Sequence, residues 1–293
     1  MNLLSNSLKH IEECAKVPSF SSYEERLHPY IREKVAGWPH IKEVAQVGNS
    51  LIFEYRKDED LPALALSAHL DKINHYGYDY PKQLPVRQLN SYLEGGILDD
   101  SVGLGICMGI MEKCHELNCP SMYFFLTEME ESFGLRHHPE LMKNNGAGLQ
   151  HSQGAMNISN YCIEHLDQPE LVITVDTTPI FKGKKGIALY SRFWELVDYQ
   201  PDEKMIEETQ KVFDQIKSIN PNIVDKNNTN DYMVFGKHLN QNNGNKRIKS
   251  VALEPAIYPY HQKGEKVFID DIRSTINTLR LIFERCYNKG FVL

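Results

Sequence analysis

Apolar residues recur along this chain in two rhythms, and each rhythm predicts an element. Leu3, Leu4, Leu8, Ile11 and Ala15 fall on one face of a helix over residues 2–17, which Pro18 ends. Ser19-Phe-Ser-Ser-Tyr-Glu-Glu has the form of a cap with acids in the first turn and predicts a second helix to about Ala36. Gly48-Asn49 marks a turn, Leu51 to Tyr55 reads as a strand, and residues 58–62 read as a polar connection. Three short runs, 63–68, 121–127 and 170–175, are apolar almost throughout, which suits central strands covered on both faces. Val102 to Met111 opens a buried helix reaching about Leu117, and residues 139–166 mix glycine-rich and helical signals. Beyond them the pattern predicts a strand over 187–197 and an amphipathic helix from Glu203 to Ile219. A short helix within 227–236, a surface turn at 241–247 and a strand over 248–253 follow. A closing helix over 268–286 carries Ile272, Ile276, Leu279, Ile282 and Phe283 on its apolar face. No repeat or linker interrupts this alternation. It predicts a single α/β domain over 1–293 on a largely parallel sheet, with a Tyr- and Pro-rich loop or lid at 73–95.

The charged residues sit where such a sheet would use them. His69-Leu-Asp71 follows the first apolar run, Glu130-Glu131 the second and Asp176 the third, while His261 lies just beyond the strand at 248–253. The glycine-rich turn from Gly95 to Gly105 supplies Asp99 and Asp100. Ligands of open α/β sheets bind outside the carboxyl ends of the strands. Each feature alone has an ordinary explanation. Asp99-Asp100 with Ser101 would serve as an acidic helix cap, Glu130-Glu131 as a solvated turn, and Asp176 as a cap for the Thr177-Thr178 turn. His137-His138, followed by Pro139-Glu140, reads as a polar helix entrance. Together they are harder to explain, because adjacent carboxylates at an apolar helix entrance cost solvation without a cation. Two histidines and three carboxylates, one of them bridging, can hold two zinc ions. Such a pair clamps an oxygen-rich transition state, with one further carboxylate left free to move protons.

Composition narrows the function classes. The 293 residues are 41% hydrophobic and 24% charged with net charge −7, and no basic block favours nucleic acid. No apolar run approaches the roughly 18 residues that span a bilayer, so no membrane partner is expected. The N-terminus lacks a signal-peptide pattern, and six scattered cysteines without a C-x-x-C pair suit reduced thiols. A cytoplasmic location is expected, with oligomeric state left open.

Four strings then carry a resemblance. Ser67-Ala-His-Leu-Asp-Lys-Ile73 is similar to "AHMDEIG", Leu98-Asp-Asp-Ser-Val-Gly103 to "LDDRAG", and Glu130-Glu-Ser-Phe-Gly-Leu135 to "EEVGL". Tyr260-His-Gln-Lys-Gly-Glu265, with Asp270-Asp271 after it, is similar to a closing "HSPVE" and the acid that opens the last helix. In this order they resemble the co-catalytic di-zinc exopeptidases, the clan of bacterial leucyl aminopeptidase and the tetrahedral and glutamyl aminopeptidases. The resemblance implies a three-layer α/β fold, its central mixed, mostly parallel sheet flanked by helices. It implies two zinc ions, replaceable by cobalt or manganese. His69 and Asp176 would hold one, Glu131 and His261 the other, and Asp99 would bridge them, with a cis peptide to Asp100. Asp71 would fix the tautomer of His69, and Glu130 would be the general base that moves a proton from metal-bound water to the leaving amine. The implied activity is an aminopeptidase acting on small peptides. The alternatives are a zinc amidohydrolase acting on N-acyl amino acids and a non-catalytic protein keeping the fold. Asn230-Asp231 is similar to the relatives' "TDA" segment, which would place Asp231 near the site or the substrate amine. The chain departs from the pattern in three places. Only residues 72–98 separate the His-x-Asp strand from the Asp-Asp turn, where tetrahedral aminopeptidases insert a domain. Lys72 replaces a Glu and Gln262-Lys-Gly replaces Ser-Pro-Val, changes expected to touch substrate recognition more than metal binding.

Overall fold

The three apolar runs become neighbouring parallel strands in a computed structural model that describes residues 2–57, 63–77, 79–131, 151–241, 247–288 and 290–291. The strands are β1 (Ile41–Val47), β2 (Ser50–Tyr55), β3 (Leu64–His69), β4 (Val86–Gln88), β5 (Tyr92–Gly95) and β6 (Met122–Thr127). They continue with β7 (Leu171–Val175), β8 (Ile187–Tyr190), β9 (Val224–Asp225), β10 (Lys249–Pro255), β11 (Ile257–Tyr258) and β12 (Glu265–Phe268). The helices are α1 (Leu3–Lys16), α2 (His28–Val35), α3 (Ser101–Lys113), α4 (Gln153–His165), α5 (Glu203–Ile219), α6 (Asp231–Gln241) and α7 (Ile269–Tyr287). An eight-stranded mixed sheet runs β1-β2-β6-β3-β7-β10-β8-β9. Its centre, β6-β3-β7-β10, is parallel throughout, so the carboxyl ends of four strands open on one edge.

Strand alternation assigns the two faces. Leu64, Leu66, Phe124, Leu126, Ile173 and Val251 pack into the larger core beneath α1, α3, α5 and α7. Ala65, Tyr123, Phe125 and Val172 face the other way, into the core under α4 and α6. Three layers result, as expected for central strands that read as apolar almost throughout. Residues 86–95 form the hairpin β4–β5, and β12 and β11 extend it into a second, four-stranded antiparallel sheet. Among the described residues no helix is long and apolar enough to cross a membrane.

Several boundaries differ from expectation for identifiable reasons. The segment after Ser19 is not a helix cap. Glu24 turns inward and accepts the N–H of Ser22 at 2.7 Å and of Met129 at 3.1 Å, leaving only a 3-10 turn at Glu24–Arg26. The helix α2 starts later, with a proline in its first turn. The strand expected over 187–197 stops at Tyr190, because Phe193 drops into a buried aromatic cluster with Tyr190 and Tyr232. The α3 cap is Asp100 rather than Ser101, and the helix ends at Lys113 rather than Leu117. Strands β1, β9, β11 and β12 carried no sequence prediction, and β4 and β5 fall within the segment expected as a loop or lid. The connection at 58–62, the centre of the turn at 242–246, the His137-His138 pair and the Glu-Glu string beyond Glu131 lie outside the described residues.

Candidate metal centre

The site begins where β3 ends. His69 is buried, and its Nδ1 faces Asp71, 3.0 Å from the carbonyl oxygen and 3.2 Å from Oδ1. With Nδ1 committed as donor, Nε2 is left as the free lone pair. It points to Asp99 Oδ1 at 3.4 Å and Asp176 Oδ1 at 3.7 Å. Asp71 also accepts from Ser21 Oγ (2.6 Å) and from the N–H groups of Glu130 (3.0 Å) and Glu131 (3.1 Å). One buried carboxylate thereby fixes both the ring orientation of His69 and the start of the loop carrying the Glu-Glu pair.

The Asp99–Asp100 peptide is cis, and the two side chains diverge. Asp100 turns into the scaffold, accepting from Gly103 N at 2.6 Å and His69 N at 3.4 Å, so it caps α3 and tethers β3. The tight entry needs glycine at 103, where a Cβ would stand 2.1 Å from the carbonyl oxygen of Val175. Asp99 points outward with its two oxygens divided: Oδ1 toward His69 Nε2, Oδ2 toward His261 Nε2 at 3.4 Å. His261 in turn lies 3.1 Å from Glu131 Oε1, and its ring stacks on Tyr260 with centroids 3.6 Å apart.

All five expected donors therefore meet, in two triads that share Asp99: His69–Asp99–Asp176 and Asp99–Glu131–His261. A third triad, His69–Glu130–Glu131, brings the half-buried Glu130 beside both. Asp99 Oδ1 and His261 Nε2 are buried with no hydrogen-bond partner among the described residues. Buried polar atoms are ordinarily paired. Borderline nitrogen and hard oxygen donors converging in this way fit divalent cations such as zinc, and each triad could hold a metal ion.

Three acids that the sequence reading left without a role, or with a loose one, complete the surroundings. Glu265 accepts from Leu98 N at 2.5 Å and Asp99 N at 3.2 Å, gripping the turn from behind. Its sequence signal is its place as the closing Glu of the string similar to "HSPVE", four residues after His261. Glu24 holds the Met129 turn that presents Glu130. Asp231, at the start of α6, is buried, accepts from Thr127 Oγ1 at 2.5 Å and adds its charge to the field on Glu130. Lys72, expected to touch substrate recognition, lies in the interior. It is 1% exposed and its ammonium donates to Ser19 Oγ at 2.7 Å, a buried cation near Asp71, Asp100 and Glu265.

The architecture is shared by solved structures over nearly their whole length. A TET aminopeptidase from a marine-sediment archaeon of the Thaumarchaeota superposes with TM-score 0.67 at 12% identity, covering 98% of this chain and 99% of that one. An aminopeptidase from the archaeon Desulfurococcus kamchatkensis gives 0.67 at 12% identity, over 99% and 98% of the two chains. Aminopeptidase PepT from Bacillus cereus gives 0.62 at 12% identity, over 96% and 98%. This chain has the fold of the TET and PepT aminopeptidases. No protein-family model and no curated protein matches the sequence, so the likeness drawn from four short strings holds at the level of three-dimensional structure.

In this peptidase fold the clustered acids shape the response to pH. Burial, reinforced by neighbouring carboxylates, raises the carboxyl pKa of Asp176 to about 6, of Glu131 and Asp231 to about 7, and of Glu24 and Glu265 to about 8. Burial alone would lower His261, but the charges of Glu131 and Asp99 outweigh it and raise the ring to about 10. Between about pH 4 and 8 these carboxyl groups bind more protons in the metal-free folded chain than in the unfolded one, so the stability they contribute falls as pH rises, against the smaller opposing effect of His10, His28, His40 and His238, which burial shifts down. The histidine contribution, full below the ordinary value of 6.5, is lost in the same direction toward pH 10. Chelator-treated protein is expected to melt at progressively lower temperature from pH 5 to 9. Added zinc should reverse the trend and release protons on binding. A metal-free melting temperature that rises across that range would contradict this charge distribution.

Proposed function

We propose that the chain is a di-zinc aminopeptidase that hydrolyses short peptides. The observation that carries this reading is the division of Asp99, whose two oxygens each face a different histidine–carboxylate pair. His69 and Asp176 would hold one ion, Glu131 and His261 the other, with Asp99 shared. Two ions there would polarise the scissile carbonyl and make a water acidic enough to attack it. Glu130, outside the two ligand sets, would take a proton from the attacking water and return it to the leaving amine. Asp71 keeps Nδ1 of His69 protonated so that Nε2 stays a lone pair. Asp100 and Glu265 hold the turn that aims Asp99. The buried Asp231, with Oδ1 unpartnered among the described residues, favours a substrate with a free α-ammonium over an N-acylated one, since an acyl group offers it no charge to pair with.

The test joins metal content to substrate choice. Crystals measured at the zinc edge should give two anomalous peaks at the paired triads. The protein should cleave an aminoacyl anilide, lose that activity to a chelator, and leave an N-acetyl amino acid intact. Turnover of the N-acetyl compound alone would transfer the site to the amidohydrolase class.

A further inference from the structure

A cavity of about 430 Å³ takes part of its wall from the same two segments that carry Asp99 and His261. Gly95 and Gly96 lie just before Asp99, and Lys263 and Gly264 just after His261. The β5–β12 ladder joins the segments, with Gly95 opposite Glu265. Tyr76, Pro85 and Val86 form an apolar side. Asn74 Oδ1 fixes the approach of Tyr76 by accepting its N–H at 2.9 Å and that of Gly77 at 3.1 Å. The phenol then lies over Gly96, where a Cβ would come 2.3 Å from its hydroxyl. The Tyr76 ring is thus a fixed wall, and the ammonium of Lys263 sits over its face, 4.3 Å from the centroid.

The charge of this rim is opposite to that of the protein. The chain carries −7 overall, yet Glu94 at the cavity edge is met by both Arg87 (2.7 Å) and Lys266 (3.3 Å). Lys263 has no carboxylate partner among the described residues. An apolar wall ending in an unpaired cation suits a ligand with an aliphatic stem and a terminal anion.

We propose that this cavity receives a carboxylate of the substrate, with Lys263 as its cation and the Tyr76–Val86 wall against its stem. The proposal rests on the peptidase reading of the candidate metal centre. Two sources present this chemistry: the side chain of an acidic N-terminal residue, and the free C-terminus of a dipeptide.

Two matched pairs distinguish the sources: glutamyl against glutaminyl anilide, and Ala-Ala against Ala-Ala amide. Each pair is measured as a ratio of kcat/KM with the metal-loaded wild type, Lys263→Met and Lys263→Arg. The same compounds are titrated calorimetrically against metal-loaded Glu130→Gln, alone and combined with Lys263→Met, so that preference can be read without turnover. The wild type should favour the carboxylate member of one pair by about two- to fivefold, the scale of an accessible Lys–carboxylate pair. Lys263→Met should bring that ratio to about one and Lys263→Arg should keep it, and the responding pair names the source. No preference in either pair, or a preference that survives Lys263→Met, overturns the proposal. Absence of turnover together with a Lys263-dependent preference in the titrations would remove the peptidase reading and leave the carboxylate pocket standing.

Discussion

Asp99→Asn is expected to empty both metal positions and to reduce peptide hydrolysis by at least about a thousandfold, a loss of roughly 4 kcal/mol of transition-state stabilisation. An amide keeps one acceptor oxygen and turns an N–H₂ toward the other histidine, so it cannot share itself between two cations. The neighbouring Asp100→Asn is expected to do far less. Burial, with the charge of Asp176, already pushes the Asp100 carboxyl well above its ordinary value, and asparagine caps a helix about as well as aspartate. The amide oxygen can keep the 2.6 Å bond to Gly103 N while the longer contact to His69 N is lost, at a cost of about 1 kcal/mol. Metal analysis and melting temperature on the two variants separate them. Equal metal loss from both would mean that the roles within the pair are wrongly divided.

What the sequence disclosed and what it hid divide along a physical line. The strands β3, β6 and β7 were legible because burial on both faces leaves runs that are apolar almost throughout, and their shared direction places His69, Glu131 and Asp176 at one edge. The turn at Asp99 alone reads as an acidic helix cap, and it was legible through its company, the His-x-Asp, Glu-Glu, Asp and His that surround it in the chain. Glu24 was not, since Ser-Tyr-Glu-Glu has the local form of a helix cap and only Met129 and Asn49, distant in sequence, turn it into a brace. Glu265 and Lys72 were hidden for the same reason. An acid or a lysine reads as exposed until the fold supplies the partners that make burial tolerable. The first strand, Ile41–Val47, escaped because only Ile41 is fully covered, so its apolar rhythm is weak.

Glu130→Gln tests the chemistry apart from the metal. The variant should keep both ions, the fold and nearly the wild-type KM, while kcat falls by about 10²- to 10⁴-fold, the range for a lost general base. The amide fills the same space and still offers an oxygen to a water, but it cannot take the proton. The pH profile supplies the sharper readout. Burial pushes the Glu130 carboxyl up, and Glu131, Asp231 and Asp176 add to the shift, against the opposing pull of His69. A base with a raised pKa is protonated and idle on the acid side, so wild-type kcat/KM should rise with pH through that pKa, and this limb should vanish from the residual activity of Glu130→Gln. Cations at the paired triads pull the limb toward lower pH, so replacing one metal by another of different acidity should move it. A variant that turns over at the wild-type rate would assign the proton transfer elsewhere, with Asp231, buried and hydrogen-bonded to Thr127, the next carboxylate to examine. One that loses an ion along with its activity would instead make Glu130 a ligand, the role that the His69–Glu130–Glu131 triad leaves open to it by proximity.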